Sequence, residues 1–373
     1  MSTRALIVYY GSFPENRGIT QLIDNLKKME ISVDVACRDS HYQNEDLTIG
    51  VFAKIKGRFL AKRSWFFFLL NVLQRNNYHI VFYREIPLFV HLLAFSCFFR
   101  FRLVGDIREN LSGMYMSGHK VNLIRKLIAK LVWPTFIFLA KHCSDFICFS
   151  TRDLARYLLG NSTMTSKWII TPNYPTASYY EMAKRELRRR RGRQINIIFS
   201  GHIKQNRGLD ILYLALCQID PRLLKKFKIF IVGDGEDRVR VENLFHSLNG
   251  ADITFTGMVH PNEVVKIAVK CDVGFMAYSA TANSSLTYPG KLFEYFACGL
   301  HVISTERKSL RKLDIPERMI TYYKDKIELA QLLSEYATAN DLNWNKFEIN
   351  SFACRGYSQD NNVKVLKRAL NGI

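Results

Sequence analysis

Short apolar runs recur along the chain, separated by stretches in which apolar residues return every three or four positions. The first kind has the length of a buried strand, the second the period of an amphipathic helix. In the first half this pattern predicts strands at Ala5–Tyr10, Val33–Cys37, Ile80–Tyr83, Leu103–Asp106 and Phe146–Ser150. It predicts helices near Ile19–Met29, Trp65–Arg75, Leu88–Phe99, Val121–His142 and Arg152–Leu159. The turn-rich stretch TPNYPTASYY and the charge run KRELRRRRGR then interrupt the alternation. Strands resume at Ile195–Phe199, Ile229–Val232, Ile253–Phe255, Val273–Ala277 and Val302–Ser304. Helices are expected near Leu209–Gln218, Asp237–Leu248, Asn262–Val269, Lys291–Cys298 and Ile327–Tyr336, with an amphipathic last helix over Asp360–Leu370. Strand and helix in turn predict an α/β protein with parallel sheets. The interruption divides it into a first domain over 1–173, a basic linker over 174–193 and a second domain over 194–354.

With 373 residues, 48% hydrophobic and 23% charged, each domain can bury its own core. The opening ALIVYY is too short for the apolar core of a signal peptide and reads as a first strand. No run reaches the length of a spanning helix: Ile86–Phe99 contains His91, and Leu127–Ala140 is broken by Lys130 and Pro134. Eight cysteines stand at 37, 97, 143, 148, 217, 271, 298 and 354 without a Cys-x-x-Cys pair. That pattern points to a reducing cytoplasm and to no zinc site.

Charge changes the picture more. Of a net +20, a surplus of 18 lies between Val51 and Arg193, where 25 Lys and Arg face 7 Asp and Glu. One surface is therefore strongly basic, and its partner is a polyanion: membrane lipid, a lipid-pyrophosphate acceptor or nucleic acid. Lys54, Lys56, Arg58, Lys62 and Arg63 precede the run Trp65–Leu70, and Arg125, Lys126 and Lys130 interleave with Leu123, Ile124, Leu127, Ile128 and Leu131. Such mixtures suit helices lying in the interface of an anionic bilayer.

The candidate chemistry sits in the second half. In TYPGKLFEYFACGLHVIST, Pro289 and Gly290 open a helix whose first backbone N–H groups face outward, as an anion requires. Lys291 adds a full charge beside a diphosphate, and Glu294, three residues on, can accept from ribose hydroxyls. The segment IIFSGHIKQNRGLDIL reads as strand, glycine loop and helix, with Gly201 at the turn and Lys204 and Arg207 within reach of a phosphate. It lacks the Walker spacing. The glycines of IFIVGDGED, Gly233 and Gly235, mark a third tight turn after a strand.

In this order the three segments resemble the donor domain of GT-B-type glycosyltransferases of family 4, a retaining group. Arg207-Gly208 matches the family's basic residue before a glycine, and GDG, Phe255-Thr256-Gly257 and Cys271–Gly274 follow in its order. Pro289, Lys291, Leu292, Glu294, Tyr295, Ala297, Gly299 and Val302 fall on its last motif. The match runs over roughly Ile195–Thr305. The first half matches more loosely, through Arg17-Gly18, Asp106–Glu109, Ser144–Thr151 and Pro172-Asn173.

The resemblance implies two Rossmann-like domains facing across a cleft, with the last helix, about 355–373, returning to the first. It implies catalytic roles for Arg207, Lys291 and Glu294, and donor binding by Gly201, His202, Lys204, Gly290, Leu292 and Gly18. Arg17, Arg108 and Glu109 fall to the sugar or acceptor pocket. The implied substrates are a nucleotide-diphosphate sugar and a glycan or lipid-pyrophosphate-linked acceptor. With no Asp-x-Asp motif, no metal or other cofactor is expected. The expected place of work is the inner face of the cytoplasmic membrane.

Two positions depart from the family: Leu286 stands where its first motif Glu falls, and Arg108 where it has His. Both leave the donor sugar open, with Thr281–Ser285 or Thr287 as substitutes at the first. A sugar-nucleotide epimerase would need carboxylates and a His in the cleft, a cluster that none of the nine His matches, and a dinucleotide oxidoreductase would need G-x-G-x-x-G after a strand. A nucleic-acid binder would explain the basic segment but not the Pro-x-Lys-x-x-Glu helix. A catalytically impaired homologue serving as an assembly partner is the other class these departures allow.

Overall fold

The apolar runs become inner strands because both faces of each are covered. Ile195–Ser200 is buried at five of its six positions, and Ile80–Tyr83 and Phe146–Phe149 are buried throughout. The computed structural model describes the chain apart from residues 1–2, 14–16, 41–48, 52–57, 85, 111–112, 114–121, 161–166, 188–193, 206, 278–284, 340–341, 343 and 372–373.

Two units emerge, Met1–Asn173 with Gln359–Ile373, and Tyr174–Ser358. The first holds seven strands: β1 (Arg4–Phe13), β2 (Ser32–Ser40), β3 (Ile49–Val51), β4 (Ile80–Tyr83), β5 (Arg102–Ile107), β6 (Phe146–Phe149) and β7 (Trp168–Ile170). Their order is β3-β2-β1-β4-β5-β6-β7. The second holds β8 (Ile195–Ser200), β9 (Phe227–Val232), β10 (Asp252–Gly257), β11 (Val273–Met276), β12 (His301–Thr305) and β13 (Ile320–Tyr323), ordered β10-β9-β8-β11-β12-β13. Neighbouring strands pair in parallel throughout both sheets.

The strand order reverses between β1 and β4 in the first sheet and between β8 and β11 in the second. In open α/β sheets, the carboxyl ends of the strands flanking such a reversal form the ligand crevice.

The strands β3, β7 and β13 fall outside the predicted set; at three or four residues each, they carry too little apolar repeat to stand out. Part of the segment expected as a linker is a helix, Ala177–Glu186, capped by Thr176. Its Tyr180 and Ala183, with Leu187 beyond, are buried in the second unit's core beside Phe293 and Phe296. The last helix, Gln359–Asn371, packs on the first unit, where Leu366 and Leu370 join Leu22, Leu26 and Ile31.

The run Trp65–Leu70 does not present one outward face. Helix Arg58–Arg75 turns Trp65, Leu69 and Leu73 into the core and leaves Phe67 exposed. Lys54 and Lys56 lie outside the described residues, as do the side chains of Arg58, Lys62 and Arg63. Helix Leu123–Cys143 differs: Leu123, Leu127 and Leu131, one turn apart, are 71%, 54% and 77% exposed, with Phe138 further along. The side chains of Ile124, Arg125 and Ile128 lie outside the described set. Among the described residues no helix is long and apolar enough to cross a membrane.

Candidate functional site

At the end of β8 the chain turns sharply through Gly201, whose φ of +118° is open to glycine alone at low cost. A Cβ there would lie 2.5 Å from Lys291 Nζ, so the missing side chain is what admits the lysine. Gly208, at φ +81°, caps the next helix, Leu209–Leu216, and leaves no room for a side chain against Ala277. The loop after β8 and Ala277, just beyond β11, thus meet at the second sheet's reversal.

Lys291 reaches that place from the helix Gly290–Ala297. Its N-cap, Pro289, offers no side-chain hydrogen bond, and the first turn carries no acidic residue, so the positive helix end is left for an anion. The helix is held from beneath. Tyr295 Oη accepts the Ser200 backbone N–H at 2.9 Å and bonds its hydroxyl at 3.2 Å. Its ring lies over Gly274 of β11, where a Cβ would come within 2.3 Å. At the far end, the Leu300 N–H donates to the Tyr295 carbonyl and Gly299 takes φ +71°, a left-handed helix stop.

The Lys291 ammonium sits 4.4 Å from the Phe199 ring centre. No carboxylate among the described residues pairs with it. Burial, first, and then the charge of Arg207 push its pKa down to about 7. A buried lysine that no described carboxylate pairs, with the charge of Arg207 acting on it beside a helix N-terminus, makes a site that gains from a divalent anion such as a diphosphate. Glu294, one turn on, is partly buried. Lys204 is exposed, and His202 pairs at 2.6 Å with Glu236 of the next loop. Leu292, by contrast, points into the core, so only its backbone can serve a ligand. No three His, Cys, Asp or Glu side chains among the described residues cluster as metal ligands would.

Residues 194–337 match the family model described as glycosyl transferases group 1. The second unit carries a group 1 glycosyltransferase domain. No curated protein sequence matches the chain. Solved structures share its whole length: Anabaena HepE in complex with UDP aligns over 100% of both chains at 12% identity and a TM-score of 0.73. Sucrose-phosphate synthase from Thermosynechococcus elongatus covers 99% of this chain and 98% of its own, at 14% and 0.71. WaaG, a glycosyltransferase involved in lipopolysaccharide biosynthesis, covers 97% and 99%, at 14% and 0.66. These likenesses establish the GT-B fold.

Within the glycosyltransferase domain, Gly201, Arg207, Gly290 and Lys291 come together, and Glu294 shares their helix. The first unit keeps its own expected residues apart from them in sequence. Gly18 begins the helix Arg17–Lys27, with the Arg17 side chain outside the described set. Arg108 is buried, donating to Asp106 at 2.5 Å and to the Thr171 carbonyl, while Glu109 is exposed. Sequence reasoning gave no role in the site to Phe199, Tyr295 or Arg84. The first two lie within the matched motifs and were legible there; Arg84 follows a strand with no motif around it.

Proposed function

We propose that the chain is a glycosyltransferase that moves a sugar from a nucleotide-diphosphate donor to a glycan or lipid-linked acceptor in cell-surface polysaccharide or glycolipid synthesis. The observation that carries this reading is the Lys291 ammonium, paired with no carboxylate among the described residues and packed on Gly201 beside the start of helix Gly290–Ala297. There, Lys291, Arg207 and the helix N–H groups hold the donor diphosphate and stabilise the charge that grows on it as the glycosidic bond breaks. Glu294 accepts from the ribose, and Gly201, Gly290 and Leu292 approach the phosphates through backbone, with His202 and Lys204 at the rim. A uridine nucleotide is favoured because HepE has been crystallised with UDP and with UDP-glucose. The family resemblance supports retention of configuration. These protein cations meet the leaving charge, so the reaction runs without a metal ion.

The exposed stripe Leu123, Leu127, Leu131 and Phe138, with Lys126 and Lys130 at its side, supports binding to an anionic membrane surface on the cytoplasmic face. Nucleic acid is not a partner in this reading.

Melting temperature in the presence of UDP-, GDP-, ADP- and CMP-sugars tests the donor site, with sugar release followed in parallel. A UDP-sugar should raise it and turn over equally with and without EDTA. No shift with any diphosphate donor overturns the reading, and a strict Mg²⁺ or Mn²⁺ requirement overturns its metal-free part. Leu286 gives the assembly-partner reading its footing: a UDP shift with no product from any donor would favour it.

A further inference from the structure

The first sheet has its own crevice at the β1/β4 reversal, and a cation occupies it. Arg84 directly follows β4, and its guanidinium lies on Gly18, where the chain after β1 enters helix Arg17–Lys27. A Cβ on Gly18 would stand 2.3 Å from Arg84 Nη2. Arg84 Nη1 donates to Asp106 Oδ2 at 2.9 Å, and Arg108 Nε donates to the other oxygen of the same carboxylate at 2.5 Å. The side chains of Arg84, Arg108 and Asp106 are 11%, 7% and 1% exposed. Two nearly buried guanidiniums therefore share one carboxylate.

The imbalance is specific to Arg84. Arg108 spends further donors on the Thr171 carbonyl and on Asn173 Oδ1 at 3.3 Å. Arg84 Nε and Nη2 have no hydrogen-bond partner among the described residues. Burial holds its pKa below the ordinary value in spite of Asp106. A protein charge withdrawn from water without full compensation is costly to maintain as a strut alone. Its position answers what it is for: the carboxyl ends of β1, β4 and β5 at a topological reversal, beside an eleven-residue helix whose first turn has no acidic residue. A planar fork whose Nε–Nη2 edge is uncommitted there matches the oxygens of a phosphate or carboxylate.

We propose that Arg84, set on Gly18 and anchored by Asp106 and Arg108, forms a second oxyanion site in the first unit, which takes a phosphate or carboxylate group of the acceptor. This deepens the transferase reading by making the acceptor an anion, and it rests on that reading for the word acceptor alone. The site itself is independent of Lys291.

Calorimetric titration of the full chain saturated with UDP decides it, with glucose 1-phosphate, glucuronate and methyl glucoside as probes. The phosphate, the carboxylate or both should bind, the stronger identifying the group, and the neutral glycoside should not. Arg84→Gln should weaken the anion by about 10–100-fold, the loss of a charge-assisted contact, and leave UDP affinity within about twofold. Arg84→Lys should do the same by keeping a positive charge while removing the planar fork, so it decides the matter if Arg84→Gln fails to fold. Equal anion binding in both variants, binding of no anion, equal binding of the glycoside, or a parallel loss of UDP affinity overturns the proposal. Failure of UDP to bind the unmodified chain overturns the donor reading instead, and the anion titrations then stand without UDP.

Discussion

The ammonium of Lys291 fills the space that a side chain on Gly201 would claim, its nitrogen 2.5 Å from where that Cβ would be. The two residues are far apart in sequence, yet each position makes sense only with the other. Gly201→Ala should therefore act on the donor site as a lysine mutation does, by pushing the ammonium off the Phe199 ring. Lys291→Ala should lower turnover by about 10²–10³, as for loss of one charge-stabilising donor. Steady-state kinetics and a melting curve check both variants: activity should fall for each, with the Lys291→Ala melting point close to that of the parent. Unchanged turnover in Lys291→Ala would remove it from the diphosphate site.

A lysine titrating near 7 makes donor binding depend on pH. In the empty site burial and Arg207 favour the neutral amine, whereas a bound diphosphate favours the ammonium. Binding should take up protons at and above neutral pH, and UDP affinity should decline as pH rises through 7. Calorimetry in two buffers of different ionisation enthalpy reads the uptake directly. Lys291→Arg, charged throughout, should flatten the profile whatever it does to affinity. A flat profile in the parent chain would contradict the assignment.

His301 predicts the behaviour in acid. It is buried, stacked on Trp344 at 4.6 Å, and bonded to the Arg318 carbonyl and Thr321 Oγ1. Burial, opposed by the bond to Arg318, brings its pKa down to about 4 from 6.5. The unfolded chain binds this proton first, so the contribution is complete above about 6.5 and is lost as pH falls toward 4. Between pH 7 and pH 5 the loss is about 2 kcal/mol, measurable by urea unfolding. His301→Gln should lower stability at pH 7 and remove most of the difference between the two pH values.

The apolar stripe on helix Leu123–Cys143 predicts sedimentation with anionic vesicles at low salt, weakening as salt screens Lys126 and Lys130. Leu127→Ser with Leu131→Ser should reduce binding severalfold without lowering the melting point, because both side chains are exposed. Equal binding to neutral vesicles, or none to either, would overturn the membrane reading.

Much of this was legible in the residues themselves. INIIFS, FKIFIV and VGFM announce buried parallel strands, and Pro289-Gly290-Lys291 announces a helix opened toward an anion. The rest was hidden for physical reasons. ASYYEMAKRE looked like part of a polar linker because its core face consists of Tyr180 and Ala183, one amphipathic and one small residue. The WFFFLL run looked uniformly apolar, so nothing in it distinguished Trp65, turned inward, from Phe67, turned outward. Arg84 and Gly18 belong to no shared motif; only the strand order brings them together.

The last helix closes the first unit from the far end of the chain. Gln359 donates to the Gln21 carbonyl at 2.6 Å, Asn362 to the Pro172 carbonyl at 2.7 Å, and Arg102 to the Leu370 carbonyl at 2.6 Å. During synthesis, then, residues 1–173 emerge with a gap where Leu366 and Leu370 belong, and that gap persists while the whole of Tyr174–Ser358 is made. The second unit is continuous and can complete itself first. The first is the earlier to leave the ribosome and the later to finish, and its final packing reports that synthesis has passed Leu370.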